Sequence, residues 1–484
     1  MTARPAPLRI ARSALCRDGG AGRDSGNGRA AGPDGVQAWL DQAALRTHME
    51  VTRVPLSGLA AWSRDPGTGD LGHRSGGFFT VRGLEVDHPL GPVPHWSQPI
   101  IDQPEVGILG VLVKEFGGVL HCLAQAKVEP GNLDGLQLAP TVQATYSNYT
   151  RVHRGLHVPY LGYFLDVSRH HVIADVCQSE HAAWFLRKRN RNMVVEVAGD
   201  VEAAPGFRWM TVGQLHRLLT RDDLVNMDLR SVLSCLPFAG PDVRAAFGAR
   251  GDGFRAALTR SCDAAGRALH GDAEILRWIA ETRARTAVRT RRAPLDGLRH
   301  WHSGDDAVTH ESGLFFDVIG VEVEAAGREV GRWAQPMLRP HGTAVVAFVV
   351  TRIDGVLHAL VHALAEPGSI NGVELAPTVQ CTPENHGHLP PSARPAFLDE
   401  VLRAGPDQIR FTARLSEEGG RLYHARGRYL IVETEPGGRW ERPGYRWLTL
   451  RQLAALLRRG HYVNVQARSL VTCLFSLTGD TAVA

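Results

Sequence analysis

The chain has 484 residues, too many for one hydrophobic core, so two or more domains are expected. Apolar residues make up 44% and charged residues 21%, the balance of an ordinary globular protein, and the net charge is only +4. So small a charge gives no ground for a nucleic-acid or membrane-surface partner, and no apolar run reaches the length of a membrane span.

Basic charge is almost entirely arginine; lysine occurs only at Lys114, Lys127 and Lys188, which makes each of them worth following. The seven cysteines include no Cys-x-x-Cys pair, so neither a disulfide framework nor a metal site is expected. With no apolar leader segment at the N-terminus, reduced thiols and a cytoplasmic location are the simplest expectation.

Residues 1–34 are rich in Gly, Ala, Arg and Asp without periodicity and read as a disordered extension. A helical stretch follows at Val36–Met49, then strand-like segments at Phe78–Val86 and Ile108–Val113. From Gly118 to Thr150 two alternating arms flank the turn residues of Glu-Pro-Gly-Asn-Leu-Asp-Gly. The first arm sets Leu120, Cys122, Ala124 and Ala126 against His121, Gln125, Lys127 and Glu129. The second sets Leu138, Val142 and Ala144 against Gln137, Thr141 and Gln143. A sheet face this rich in donors and acceptors has the character of a site floor. Val172–Gln178 and Phe185–Val197 are expected strands; Trp209–Leu219 and Leu224–Leu236 have helical spacing, with Thr211 as an N-cap.

The pattern then starts again. PLSGLAAW at Pro55–Trp62 returns as PLDGLRHW at Pro294–Trp301, and WSQP at Trp96–Pro99 as WAQP at Trp333–Pro336. The EPG and LAPTVQ runs return 237 positions later, and VNMDLRSVLSCL returns as VNVQARSLVTCL. A whole domain has therefore been duplicated. The expected division is an extension over 1–34, a first repeat over 35–240, a linker over 241–271 with room for helix, and a second repeat over 272–484. Strands and helices interleave in each copy, which predicts an α/β or α+β class with a mixed sheet.

Three runs of the first copy carry a specific resemblance: QAKVEPGN at Gln125–Asn132, QLAPTVQATYSNYTRVHRG at Gln137–Gly155 and QSEHAAWFLRKRNRNMVVEV at Gln178–Val197. With the duplicated EPG and LAPTVQ runs, they resemble the NDP-hexose 2,3-dehydratase family of deoxysugar biosynthesis, over nearly everything from residue 35 onward. The resemblance implies loss of water across C2 and C3 of dTDP-4-keto-6-deoxy-D-glucose, giving a 3,4-diketo-2,6-dideoxy sugar nucleotide. It also implies a homodimer of subunits built from two Nudix-like modules, with the product passed to a 3-ketoreductase. The glutamate-rich Nudix signature is missing from the sequence, so a Nudix-type diphosphate hydrolase is the weaker alternative, beside a non-catalytic nucleotide-sugar binding protein.

Such a reaction needs a base for the C3 proton, donors for O4 as it gains charge and an acid for the departing C2 hydroxyl, with no cofactor or metal required in principle. Comparing the copies sorts the candidates. Shared are His121/His358, Glu129/Glu366, Thr141/Thr378, Gln143/Gln380, Asn148/Asn385, Arg189/Arg426 and Arg191/Arg428. Confined to the first copy are Lys127, Tyr149, Arg151, Trp184 and Lys188, facing Leu364, His386, His388, Arg421 and Ala425. The first copy is thus expected to be catalytic. The second, with His358, Glu366, Thr378, Gln380, Arg426 and Arg428, is expected to be an ancillary nucleotide site.

Lys127, Tyr149, His121 and Glu129 compete for the proton-transfer roles. Each has a structural alternative: a Lys127–Glu129 pair, a half-buried Tyr149, a His121 hydrogen bond, a turn held by Glu129. Arg187, Arg189 and Arg191 would share one strand face suited to a diphosphate, or form a solvated basic edge. Trp96, Trp184 and Tyr149 are candidate partners for thymine, or core aromatics. Gln125, Thr141, Gln143, Asn148, Arg151 and Lys188 complete the expected substrate-binding set.

Overall fold

The structure, a computed structural model, describes residues 5–17, 32–146, 157–248, 251–264, 267–326, 330–435 and 440–479. Each copy builds one seven-stranded mixed sheet. In the first, the order is His171–Ser179, Arg189–Glu196, Gly107–Phe116, Val119–Val128, Phe207–Thr211. Leu136–Ala139 is added beside Val119–Val128, and Val142–Ala144 beside Gly107–Phe116. Only Arg189–Glu196 and Gly107–Phe116 pair in parallel. The second copy repeats this order, with Arg426–Thr434 parallel to Ala344–Ile353.

Both faces of the central strand Gly107–Phe116 are covered, which explains its unbroken apolar sequence. Leu109, Val111 and Val113 join one core cluster, whereas Ile108 and Leu112 join another that includes Phe164 and Trp209. The first of these clusters runs on into Val346, Phe348 and Ile431 of the second copy, so the two repeats share a core. Thr211 caps the helix Val212–Leu218 through a capping box with Gln214, and Thr449 does the same with Gln452.

The copies also exchange strands. Met49–Val54 of the first copy pairs with Phe316–Ala325 of the second, and Arg289–Ala293 of the second pairs with Thr80–Asp87 of the first. Gly83 and Gly320 lie under these crossings: a Cβ on either would stand 2.5 Å from the backbone oxygen of Pro294 or Val54. The repeated motifs meet here too. The Trp62 indole donates to the Ala334 carbonyl at 2.7 Å, and Trp301 donates to Ser97 at 2.7 Å. Two fully buried arginines cross between the helices Met227–Ser234 and Val465–Ser476: Arg230 donates to Ser469 and the Ser416 carbonyl, Arg468 to Ser231 and the Ser179 carbonyl.

One sequence expectation needs correction. The extension over 1–34 contains a helix, Ala6–Leu15, whose Ile10, Ala11 and Ala14 are buried in the shared core. The segment 241–271, read as a linker with room for helix, contains the helices Pro241–Phe247 and Phe254–Ser261. These regions are counterparts. Ser13 donates to Leu120 O and accepts from Val212 N, as Ser261 donates to Leu357 O and accepts from Leu450 N. Each repeat therefore begins with a helix that precedes its first repeated motif: Ala6–Leu15 before Pro55, and Phe254–Ser261 before Pro294. Among the described residues, no helix is long and apolar enough to cross a membrane.

Candidate active site

A cavity of about 480 Å³ opens where the first copy's large sheet meets both small sheets. Part of the lining is aromatic: Trp62, His73, Phe78 and Phe79 come from the first copy, and Trp333 from the second. Trp62 stands edge-on to His73 at 5.5 Å and tilts against Phe79 at 4.8 Å. Phe78 reaches its place through a left-handed backbone (φ 70°), as its counterpart Phe315 does (φ 66°), a conformation costing about 1 kcal/mol or more. The strain is common to both copies, so it belongs to the shared aromatic module.

The rest of the lining is charged, and the Arg421 guanidinium, 4.3 Å over the Phe79 ring, joins it to the aromatic part. Lys127 and Glu129 come from the end of Val119–Val128, Gln143 from the neighbouring short strand, and Glu180, Lys188 and Asn190 from the segments around Arg189–Glu196. Asp228 comes from the helix Met227–Ser234, and Glu418 and Arg421 from the second copy. The contact that delivers the last two is the EPG turn. Gly131 N donates to Gly419 O at 2.7 Å, and a Cβ on Gly131 would stand 1.8 Å from Leu422 O, so only glycine allows this approach. The site belongs to both copies.

Its electrostatics are those of charges held away from water. Lys127 Nζ lies 3.6 Å from Glu129 Oε1, which also accepts from Gln143 at 2.9 Å. Lys188 donates to the Glu105 carbonyl, and burial pulls its pKa down to about 8. The Glu418 carboxyl accepts from the backbone of Gly420 and Arg421, at 2.9 and 2.7 Å. Burial, with Glu129 alongside, pushes its pKa up to about 7. Burial also raises Glu180, which accepts from Asn190 at 3.0 Å, and raises Asp228 well above the usual carboxylate range, with Glu180, Glu129 and Glu418 adding repulsion. A pocket that sets lysines beside carboxyls whose burial favours the protonated form is equipped to move protons and to stabilise a developing oxyanion.

The structure brings together Lys127, Glu129, Gln143 and Lys188 of the expected residues. Tyr149, Asn148 and Arg151 lie outside the described residues. The others line other places. The His121 ring bonds to Val119 O at 2.9 Å and meets Phe116 edge-on, Thr141 ties Leu112 N to Leu123 O, and Gln125 pairs along the strand with Phe207 and Ala139. Arg191 is paired with Asp175. Arg187 and Arg189 line a separate basic cavity with Arg292, because the strand turns them away from Lys188. Trp96 bonds to Gln98 and packs near Leu84 and Val86. Trp184 tilts against His181, with ring centroids 5.3 Å apart, on the second copy's side.

Glu180, Asp228, Glu418 and Arg421 were not singled out from the sequence. The signal was present in the copy comparison: Asp228 faces Gln466, Glu418 faces His181, and Arg421 faces Trp184. Trp184 was read there as a first-copy asset, whereas the reciprocal turn contacts, Gly131 N to Gly419 O and Gly368 N to Ala182 O, set Trp184 on the second copy's side and Arg421 on the first's. At the second copy's equivalent position His181 Nε2 lies 3.3 Å from Glu417, which accepts from Tyr429 at 2.7 Å, and His181 Nδ1 lies 2.9 Å from Gln466. Glu366 accepts there from Gln380 at 3.2 Å. Of the other ancillary residues, His358 and Thr378 make the same backbone contacts as His121 and Thr141, Arg426 lies 3.7 Å from Asp223, and Arg428 is exposed.

A family model described as NDP-hexose 2,3-dehydratase matches residues 34–236 and again 272–474. A protein of Saccharopolyspora spinosa named dTDP-4-dehydro-6-deoxy-alpha-D-glucopyranose 2,3-dehydratase is 48% identical over 445 residues, covering 91% of this chain and 90% of its own. Proteins of the same name from Amycolatopsis orientalis and Streptomyces violaceoruber are 46% and 44% identical. They cover 91% and 92% of this chain, and 89% and 97% of their own.

Proposed function

The chain belongs to the NDP-hexose 2,3-dehydratase family, and we propose that it removes water across C2 and C3 of dTDP-4-keto-6-deoxy-D-glucose, giving the dTDP-3,4-diketo-2,6-dideoxy sugar. The observation that carries this reading is one cavity lined by both charged groups, Lys127 and Glu129 among them, and aromatic rings, Trp62 and Trp333 among them. The hexose sits by the charged groups and thymine by the aromatic rings, where flat apolar walls suit a base.

The 4-keto group makes the C3 proton removable, because the resulting charge spreads onto O4. Glu129, held by Lys127 and Gln143, takes that proton, and the Lys127 ammonium stabilises the O4 oxyanion. Expulsion of the C2 hydroxyl restores the C4 carbonyl and leaves a C2=C3 enol, which becomes the 3-ketone. Tyr149, beyond the described residues, is a further donor on sequence grounds. The second copy keeps an aromatic cluster but replaces Lys127 by Leu364 and Lys188 by Ala425, so it is assigned nucleotide binding and no chemistry. The active form is a cytoplasmic homodimer, and a ketoreductase acting at C3 consumes the product.

The test is to incubate the protein with dTDP-4-keto-6-deoxyglucose and trap the product with an aromatic 1,2-diamine, which captures adjacent ketones. The expected adduct has lost one water. Recovery of unchanged substrate would refute the reading, and release of a nucleoside monophosphate would identify a hydrolase. Light scattering of the same preparation reads the dimer.

A further inference from the structure

Asp228 is 5% exposed, lines the charged part of the cavity, and among the described residues has no hydrogen-bond partner for its carboxyl. A buried polar group left unpaired in this way costs stability unless something outside the protein completes it. The other three carboxyls of the cavity each have at least one partner: Glu129 has Gln143, Glu180 has Asn190 on one oxygen, and Glu418 has two backbone amides. Among the described residues, Asp228 is the one carboxyl of the cavity with neither oxygen hydrogen-bonded. It is also specific to the first copy, because the second has Gln466 at that place, a side chain of similar polarity that has no acidic proton to give. Gln466 is engaged through its amide nitrogen, which meets His181 Nδ1 at 2.9 Å.

We infer that Asp228 is the general acid that protonates the departing C2 hydroxyl. The inference rests on the dehydratase reading and supplies the proton that reading leaves unassigned. Burial, with the carboxyls of Glu180, Glu129 and Glu418 around it, raises Asp228 well above the usual carboxylate range and favours its protonated form, whereas Glu129 has the Lys127 ammonium 3.6 Å away, so neighbouring carboxyls sit in environments suited to opposite tasks. The proton balance closes. Glu129 takes H3; the electron pair moves to O4 and returns to form C2=C3 as the C2–O2 bond breaks. O2 leaves with the Asp228 proton as water. The enol O3–H then reprotonates Asp228, and Glu129 returns its proton to C2. Both groups end as they began.

The assignment separates two events that a merely structural residue would not separate. In deuterium oxide, Asp228→Asn should still exchange the C3 hydrogen of the substrate, within about tenfold of the parent enzyme, because Glu129 and Lys127 are intact. Water loss should fall by about 10²–10⁴-fold, the usual contribution of a positioned acid. Asp228→Gln, the side chain this fold already holds at position 466, is the second variant and should show the same split. Loss of exchange and elimination together in both variants, or elimination at the parent rate in either, would overturn the assignment. Failure of the parent enzyme itself to exchange or eliminate would instead overturn the dehydratase reading.

Discussion

Lys127 and Leu364 occupy the same position in the two copies, so the protein contains its own substitution experiment. Lys127→Leu should fold, because the fold already accepts leucine there. It should nevertheless lose about 10²–10³-fold in kcat, the typical result of removing one oxyanion donor, with KM little changed; steady-state rates of water loss read both. A second residue-scale prediction concerns pH. Burial pushes Glu417 up to about 7 in the folded protein, beside a His181 that burial pulls down to about 3. Folded Glu417 thus holds its proton more tightly than the unfolded chain does. Between about 4.5 and 7 its contribution to stability falls as pH rises, and above 7 the loss is complete. Glu417→Gln, which keeps an acceptor for Tyr429, should therefore stabilise the protein at pH 8 by on the order of 2–3 kcal/mol and have no effect at pH 4. Denaturant unfolding at the two pH values measures the difference. At this scale the sequence comparison reached Lys127 and Lys188 because a rare residue on a polar face stands out. It passed over Asp228 because a lone aspartate in the first turn of a helix has an ordinary explanation as a terminus charge.

The elements were largely legible. Alternation located the strand Val119–Val128, and Thr211 marked its helix start. The helix expected at Val36–Met49 instead spans Gly32–Arg46, and Met49 already opens a strand. The helix Ala6–Leu15 was not legible, because arginines and small residues dilute its apolar positions and its buried face is defined by the rest of the fold. Its role is nonetheless measurable. Ser13 and Ser261 each tie a helix to the edge of a large sheet through one donated and one accepted bond, all buried. Replacing either by alanine leaves a buried amide and carbonyl unpaired, at about 1–3 kcal/mol. Ser13→Ala and Ser261→Ala should lower the melting temperature by similar amounts. A negligible effect of Ser13→Ala alone would mean that the N-terminal segment is the loose extension its composition suggests.

Duplication was plain from the sequence, but a repeat in sequence became only half a unit in space. Met49–Val54 has its antiparallel partner in the second copy, Arg289–Ala293 has its partner in the first, and the guanidinium groups of Arg230 and Arg468 are satisfied across the same boundary. Separating the copies would bare two strand edges, open a shared apolar core and leave two buried charges without acceptors, each a cost of several kcal/mol against a domain stability of about 5–15 kcal/mol. Neither 1–248 nor 251–484 expressed alone should therefore unfold cooperatively, and the intact chain should show a single transition. Co-expressed halves should reassociate, because every one of these contacts is non-covalent, and recovery of water-loss activity should track their association. That recovery is the informative measurement: the cavity takes Lys127, Glu129 and Asp228 from one half and Glu418 and Arg421 from the other. Activity from the first half alone would show that the second copy's residues are dispensable. Activity that appears only on mixing would mean that duplication built one site out of two.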